Sequence, residues 1–317
     1  MAASPSVGGS SRSGGAIARP RRSFVFSVWA EFLGLLLFVA ICNLFPNLGG
    51  NLNDGGLIVL GLILSLVPAS LWLVVFYRAD RMEPEPRQYV VAVFIGALVI
   101  MAALHQPLFA YLYAVDSWLY TYWWAQLLGG ILVIGFASMG IVYLTVRALI
   151  FDNPEFDERT DGIVYAIAAG LGVATVNNIV YVVQHGGVEL DIGSIRMVTT
   201  ALGYASFAGV LGYFMGQSRF EKTPAYYLPL GITIAALLTG FYFFALDRAG
   251  AGQLTDESWR DLLLGGFLAL VTMGAVGWLV RRSNEETLRV AQLNAAGDAW
   301  EPRSDSEAAA DGGKEAA

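Results

Sequence analysis

The sequence predicts an all-α polytopic membrane protein, a bundle of about eight transmembrane helices, and three observations lead to this fold class. First, 56% of the 317 residues are hydrophobic and only 14% are charged, with a mean hydropathy of +0.57, which excludes an ordinary soluble domain. Second, eight apolar stretches are each long enough to cross a bilayer core of about 30 Å. Third, the basic residues collect at alternate junctions between these stretches.

The predicted spans divide the chain into three parts. A transmembrane domain covers residues 23–282, between a disordered segment 1–22 and a disordered acidic tail 283–317. The first span follows several arginines and contains Glu31, and its length indicates a signal anchor, although an organellar targeting signal within residues 1–22 stays open. The spans are predicted at residues 24–45, 57–77, 89–112, 124–147, 162–183, 197–216, 225–246 and 261–281.

The basic residues set an orientation for these spans. All but three of the nineteen Lys and Arg residues fall on one side, and the three exceptions are Arg196, Arg248 and Arg260. Because positive residues favour the cytoplasmic side, we expect both termini in the cytoplasm and the chain in the cytoplasmic membrane, surrounded by lipid. No basic cluster is long enough to indicate nucleic acid binding.

An aromatic cluster marks the junction between the third and fourth spans. Tyr and Trp rings favour the level of the lipid headgroups, so this junction is expected at a membrane surface. The cluster contains Tyr111, Tyr113, Trp118, Tyr120, Tyr122, Trp123 and Trp124.

Polar side chains inside the later spans are the first candidates for a functional site, because polar groups are costly in a bilayer. On the fifth span, Asn177 and Tyr181 share one helical face by their i, i+4 spacing. These side chains predict a buried polar pocket, and interhelical hydrogen bonds are the structural alternative. The candidate residues are Asn177, Asn178, Tyr181, Thr200, Tyr204, Thr239 and Tyr242.

The ionisable residues argue against a hydrolytic or metal site in the same spans. The chain has two histidines, His105 near the end of the third span and His185 just beyond the fifth. Metal-assisted hydrolysis needs a carboxylate to activate water, or His and Glu ligands to hold the metal. We therefore expect no metal and no cofactor. Beside Pro107, His105 is expected to satisfy a freed backbone carbonyl, and Glu31 either pairs across helices or serves an ion pathway.

Two loop motifs carry a resemblance to a known family. The first consists of Asp80, Glu83, Pro84, Glu85 and Pro86, and the second of Glu155, Phe156, Asp161, Gly162, Ile163, Val164 and Tyr165. From about residue 80 to 243 the chain resembles the PrsW family, polytopic membrane proteases related to the CAAX-processing and Abi group. The resemblance implies a PrsW-like helical bundle. From the residues alone, Asp161 and Gly162 are expected to cap the fifth span.

The resemblance also implies where the family's chemical groups would lie, and this chain departs from the family there. Where the family has a Glu-Glu pair and a Lys, the chain has Ser138, Met139 and Val142. Where the family has a later Glu and two His residues, the chain has Asn177, Tyr204 and Thr239. The resemblance therefore implies a protease fold whose catalytic positions are degenerate.

Three functions remain open at this point. The leading hypothesis is a catalytically inactive pseudoprotease that binds or scaffolds other membrane proteins. The alternative is an active, divergent PrsW-like intramembrane protease that cleaves single-span substrates resembling anti-sigma factors. The third is a small-solute transporter, which interrupted helix pairs or an inverted repeat would have supported.

Overall fold

The computed structural model describes residues 23–45, 52–79 and 86–248, together with isolated helical residues between 267 and 289. These parts of the chain are all-α and form a polytopic membrane bundle. The α-helices are α1 (Ser23–Leu44), α2 (Asp54–Ala79), α3 (Arg87–His105), α4 (Val115–Trp118), α5 (Trp123–Gly129), α6 (Phe136–Leu149), α7 (Asp161–Gln184), α8 (Leu190–Phe220) and α9 (Tyr227–Arg248).

Six helices in the described part of the chain are long and apolar enough to cross a membrane, in agreement with the second to seventh predicted spans. The first predicted span corresponds to α1, whose described side chains include the shorter apolar stretch Leu33–Leu44. The predicted segment 1–22 lies outside the described residues, as do the eighth span at 261–281 and the acidic tail at 283–317 apart from isolated helical positions.

The centre of the bundle is the pair α7 and α8, both buried along most of their length. Small residues let their backbones come close together, as is common between helices in lipid. A Cβ atom added to Gly162 on α7 would lie 2.5 Å from the carbonyl oxygen of Gly212 and 2.9 Å from Cα of Gly216, both on α8. Helices α2, α3 and α6 pack around α7, and α9 packs on α8.

Two π-helical segments interrupt the spans. The first, Gln106–Leu112, continues α3 and contains Pro107, which lacks the N–H group that a regular helix would use there. The second, Gly130–Gly135, joins α5 to α6 within one span. Such segments are rare and frequently occur at functional sites.

The two ends of the bundle differ in chemistry. At the end we call the aromatic end, Tyr111, Tyr120, Tyr122 and Trp123 are exposed around the first π segment and α5. At the opposite end, which we call the loop end, the connection of residues 150–160 joins α6 to α7. Of the first loop motif, Asp80, Glu83, Pro84 and Glu85 lie outside the described residues, whereas the Pro86 carbonyl accepts the Tyr89 N–H at the start of α3.

Candidate functional site

Three of the residues that the resemblance places at the family's catalytic positions meet in the interior of the bundle. The Ser138 hydroxyl on α6 lies 3.4 Å from the Tyr204 hydroxyl on α8, and both side chains are buried. Asn177 on α7 lies beside the same Tyr204 hydroxyl, while its amide donates to the Val173 carbonyl at 3.0 Å. Hydroxyl and amide groups therefore link α6, α7 and α8 at this point.

The other three of these residues take no part in this cluster. Met139 and Val142 are fully buried and belong to the hydrophobic core. The Thr239 hydroxyl, also fully buried, donates to the Ala235 carbonyl of its own helix at 2.7 Å. Such a bond satisfies the hydroxyl within α9 and presents no ligand to the cluster.

These side chains do not fit a catalytic metal ion. Protein zinc sites use imidazole nitrogen, thiolate sulfur or carboxylate oxygen, whereas the cluster offers two neutral hydroxyls and an amide. In the part of the chain that the structure describes, no three His, Cys, Asp or Glu side chains come together in a way that could hold a metal ion.

Next to the cluster, a cavity of about 280 Å³ lies at the aromatic end. Its walls come from the end of α3, the first π segment, α5, the second π segment and the aromatic-end parts of α7, α8 and α9. Of the residues predicted to form a polar pocket, Asn177, Tyr181, Thr200 and Tyr204 line it. Two members of the cluster, Asn177 and Tyr204, therefore border an open space as well as the core.

The remaining members of the predicted pocket lie elsewhere. The Asn178 amide donates across helices to the Met197 carbonyl at 3.3 Å, and the Tyr242 hydroxyl donates to the Thr199 carbonyl at 2.9 Å. Both bonds join α8 to a neighbouring helix. Together with Thr239, which bonds its own helix, Asn178 and Tyr242 do not line the cavity.

The two acidic and basic residues that line the cavity, Arg196 and Asp247, were not identified as site residues from the sequence. Arg196, predicted in a junction outside the bilayer, belongs to α8, which begins at Leu190 rather than at 197. Asp247 lies on α9 one residue beyond the predicted end of its span and accepts a hydrogen bond from Gln126 of α5. Extending each of these two predicted spans by a single residue would have included both charged residues.

The two histidines and Glu31 have separate environments. His105 is the last residue of α3 and lines the cavity, with its ring 5.4 Å from the Phe109 ring. His185 follows α7, and its Nδ1 atom is hydrogen-bonded to the Tyr181 carbonyl. Glu31 lies in α1 at a position whose side chain is outside the described part of the structure.

The second loop motif orders the loop end of the bundle. Asp161 is buried at the first residue of α7, and its carboxylate accepts the backbone N–H groups of Asp157 and Glu158 at 2.9 and 2.7 Å. The expected capping role is therefore corrected: the N-cap residue of α7 is Thr160, and Asp161 binds the loop that precedes it. Glu155 is exposed on that loop.

Comparison with known proteins identifies one family. A family model described as PrsW family intramembrane metalloprotease matches residues 84–279. A protein named Protease PrsW from Geobacillus kaustophilus is 29% identical over 68% of this chain and 87% of its own length. Those of the same name from Oceanobacillus iheyensis and Bacillus subtilis are 29% and 26% identical, over 70% and 57% of this chain and 95% and 80% of their own lengths. No solved structure was found to match.

Proposed function

Because this chain belongs to the PrsW family of intramembrane metalloproteases, we propose that it is a pseudoprotease that binds or scaffolds another membrane protein. One interpretation supports this proposal above the others: the resemblance to the family places Ser138, Met139, Val142, Asn177, Tyr204 and Thr239 where the family has its catalytic groups. Three of them form a neutral cluster, and the other three are buried in the core or bonded to their own helix.

The side chains of the Ser138, Asn177 and Tyr204 cluster support the proposal that the chain does not hydrolyse peptide bonds. A general base must accept a proton near neutral pH, and an amide such as Asn177 has no basic lone pair to do so. The Ser138 and Tyr204 hydroxyls lie against each other, and among the described residues no imidazole or carboxylate is a hydrogen-bond partner of either that would activate it as a nucleophile. As a pseudoprotease, the protein would use neither a catalytic metal nor a cofactor.

The proposed orientation follows the distribution of basic residues. With both termini in the cytoplasm, the loop end faces the cytoplasm and the aromatic end faces outward. The exposed basic residues of the loop end include Arg147 and Lys222, as the positive-inside rule requires. The proposed location is the cytoplasmic membrane, where a second membrane protein would contact the bundle within the lipid.

The second candidate function is proteolysis of single-span membrane substrates. The family description and the names of the relatives favour it, since all three relatives reported above are named as proteases. An active enzyme would have to draw its carboxylate from outside the cluster, and Glu31, Glu83 and Glu155 are the first residues to examine.

Reconstitution distinguishes the two candidates. The full chain in liposomes is mixed with a single-span substrate, with and without zinc, and an established PrsW protease serves as the positive control. We expect no cleavage and no stoichiometric zinc by elemental analysis. Cleavage that is lost in Ser138→Ala or Tyr204→Phe, but kept in the loop-end variant Arg147→Gln, would overturn the pseudoprotease proposal.

Crosslinking in native membranes tests the binding half of the proposal. A photoreactive residue is introduced at exposed lipid-facing positions such as Leu132 and Phe241, and the captured proteins are identified. A stable, intact membrane protein is the expected product. A captured fragment whose formation requires the chain would support the protease instead.

A further inference from the structure

The aromatic-end cavity contains two opposite charges that do not neutralise each other. Arg196 on α8 and Asp247 on α9 both line it. Neither side chain forms a salt bridge with the other or with any residue in the described part of the chain. Ionisable groups inside a membrane domain are costly, and they are usually paired unless they serve a ligand or an ion.

Each of the two charges is held in place by a neutral neighbour. The Arg196 guanidinium lies over the Tyr181 ring, 4.3 Å from its centroid, and that ring contacts the His185 ring at 4.1 Å. The Asp247 Oδ2 atom accepts a hydrogen bond from Gln126, which is buried on α5. These contacts orient the two charges and leave both charges available to a third group.

The level of the cavity relative to the lipid headgroups indicates which kind of molecule can enter it. Tyr120 lines the cavity and also belongs to the exposed aromatic cluster, together with Tyr122 and Trp123. Aromatic clusters of this type lie at the level of the lipid headgroups. The inner walls include the apolar side chains of Phe109 and Val180, beside the polar groups.

We propose that this cavity binds a zwitterionic ligand in which an ammonium group is joined by a short linker to a phosphate or carboxylate. The guanidinium of Arg196 offers paired N–H donors to the anionic group, a geometry that suits both phosphate and carboxylate. Asp247 accepts the ammonium group at Oδ1, which has no partner among the described residues. The ethanolamine headgroup of a phospholipid and a free small zwitterion share this chemistry, and the headgroup is the source present at that depth.

Because the proposed site requires both charges, the experiment removes each charge in a separate variant. The full chain is purified in detergent, and its thermal unfolding is followed by tryptophan fluorescence with added phosphatidylethanolamine, phosphatidylglycerol or soluble phosphoethanolamine. A ligand that binds only the folded state raises the midpoint as its concentration rises. We expect a saturable rise of several degrees with phosphatidylethanolamine, lost in Arg196→Gln and Asp247→Asn. Matched controls are Arg147→Gln and Asp152→Asn at the loop end, which should keep the rise.

Native mass spectrometry of the unaltered protein supplies a second measurement that no folding defect of a variant can affect. One retained phosphatidylethanolamine per chain, selected from an equal mixture with phosphatidylglycerol, supports the headgroup as ligand. An equal rise with soluble phosphoethanolamine supports the site with a free zwitterion as ligand. The proposal is overturned if phosphatidylglycerol acts as strongly as phosphatidylethanolamine, or if the rise persists in both cavity variants. None of these outcomes depends on whether the chain cleaves proteins.

Discussion

Replacing Gly162 by Ala tests a close backbone contact between α7 and α8. The added methyl group would lie 2.5 Å from the Gly212 carbonyl oxygen, 2.6 Å from the Gly216 backbone nitrogen and 2.9 Å from Gly216 Cα. A carbon and a carbonyl oxygen normally approach no closer than about 3.3 Å. Because all three atoms belong to the α8 backbone, no side-chain rotation can relieve the clash, and α7 and α8 must separate by roughly 0.8 Å.

The expected cost follows from this separation. Overpacking of a close contact costs about 1–3 kcal/mol. Moving α7 and α8 apart by roughly 0.8 Å also weakens the dispersion attraction between the two helices. The helical preference of Ala over Gly returns about 0.5–1 kcal/mol. We therefore expect Gly162→Ala to lower the free energy of unfolding by about 1–2 kcal/mol. A loss of about 1.4 kcal/mol corresponds to a tenfold change in the equilibrium constant for unfolding.

The assay is reversible unfolding of the purified chain in mixed micelles, followed by tryptophan fluorescence. Gly140→Ala is the matched control, because a Cβ atom there meets nothing within 4 Å. That variant should be as stable as the unaltered chain, or more stable by up to about 1 kcal/mol. If Gly162→Ala were as stable as Gly140→Ala, the close approach of α7 and α8 at this point would be refuted.

Three further predictions concern other parts of the bundle. Tyr242→Phe removes the hydrogen bond to the Thr199 carbonyl, and it should cost about 0.6–1.7 kcal/mol in the same unfolding assay; no loss would mean that water replaces the bond. Asp161→Ala removes the acceptor of two loop N–H groups, so we expect a loss of about 1–2 kcal/mol and faster cleavage of the preceding loop in limited proteolysis. In a chain whose Cys42 is replaced by Ser, Glu189→Cys should react with an impermeant thiol reagent in intact cells, whereas a cysteine on the loop end should not; the reverse pattern would invert the proposed topology.

The positions of the spans could be predicted from the sequence because apolar length is a direct requirement of the bilayer. The prediction of residues 162–183, for example, differs from α7 by one residue at each end. The start of α8 was placed seven residues late, since Asp191 and Arg196 lower the local hydropathy of a helix that is polar where it borders the cavity. Hydropathy measures the average of a window, whereas a cavity depends on which side of a helix each polar residue occupies.

The candidate site was predictable only in part, because it combines residues from several helices whose relative positions hydropathy does not indicate. Helical spacing predicts that Asn177 and Tyr181 share one face of α7, and both line the cavity together with Tyr204 of the predicted polar pocket. The contribution of Gln126 and Asp247 depends on the junction between the third and fourth spans. The left-handed residue Ala114 in this junction, the π segment before it and the π segment within the fourth span change the direction of the chain, and no periodicity in the sequence indicates this.

The second π segment, Gly130–Gly135, changes the directions in which side chains before and after it point from the helix. Gln126 and Ser138 are twelve positions apart, which in a regular helix of about 100° per residue would separate their directions by about 120°. A π segment acts as one inserted residue, so the effective spacing is eleven positions and the separation falls to about 20°. That rotation brings both side chains into the interior, one toward the cavity and one toward Tyr204. Deleting a single residue between Gly130 and Gly135 would therefore leave a regular α-helix in which the two polar side chains still differ in direction by about 20°.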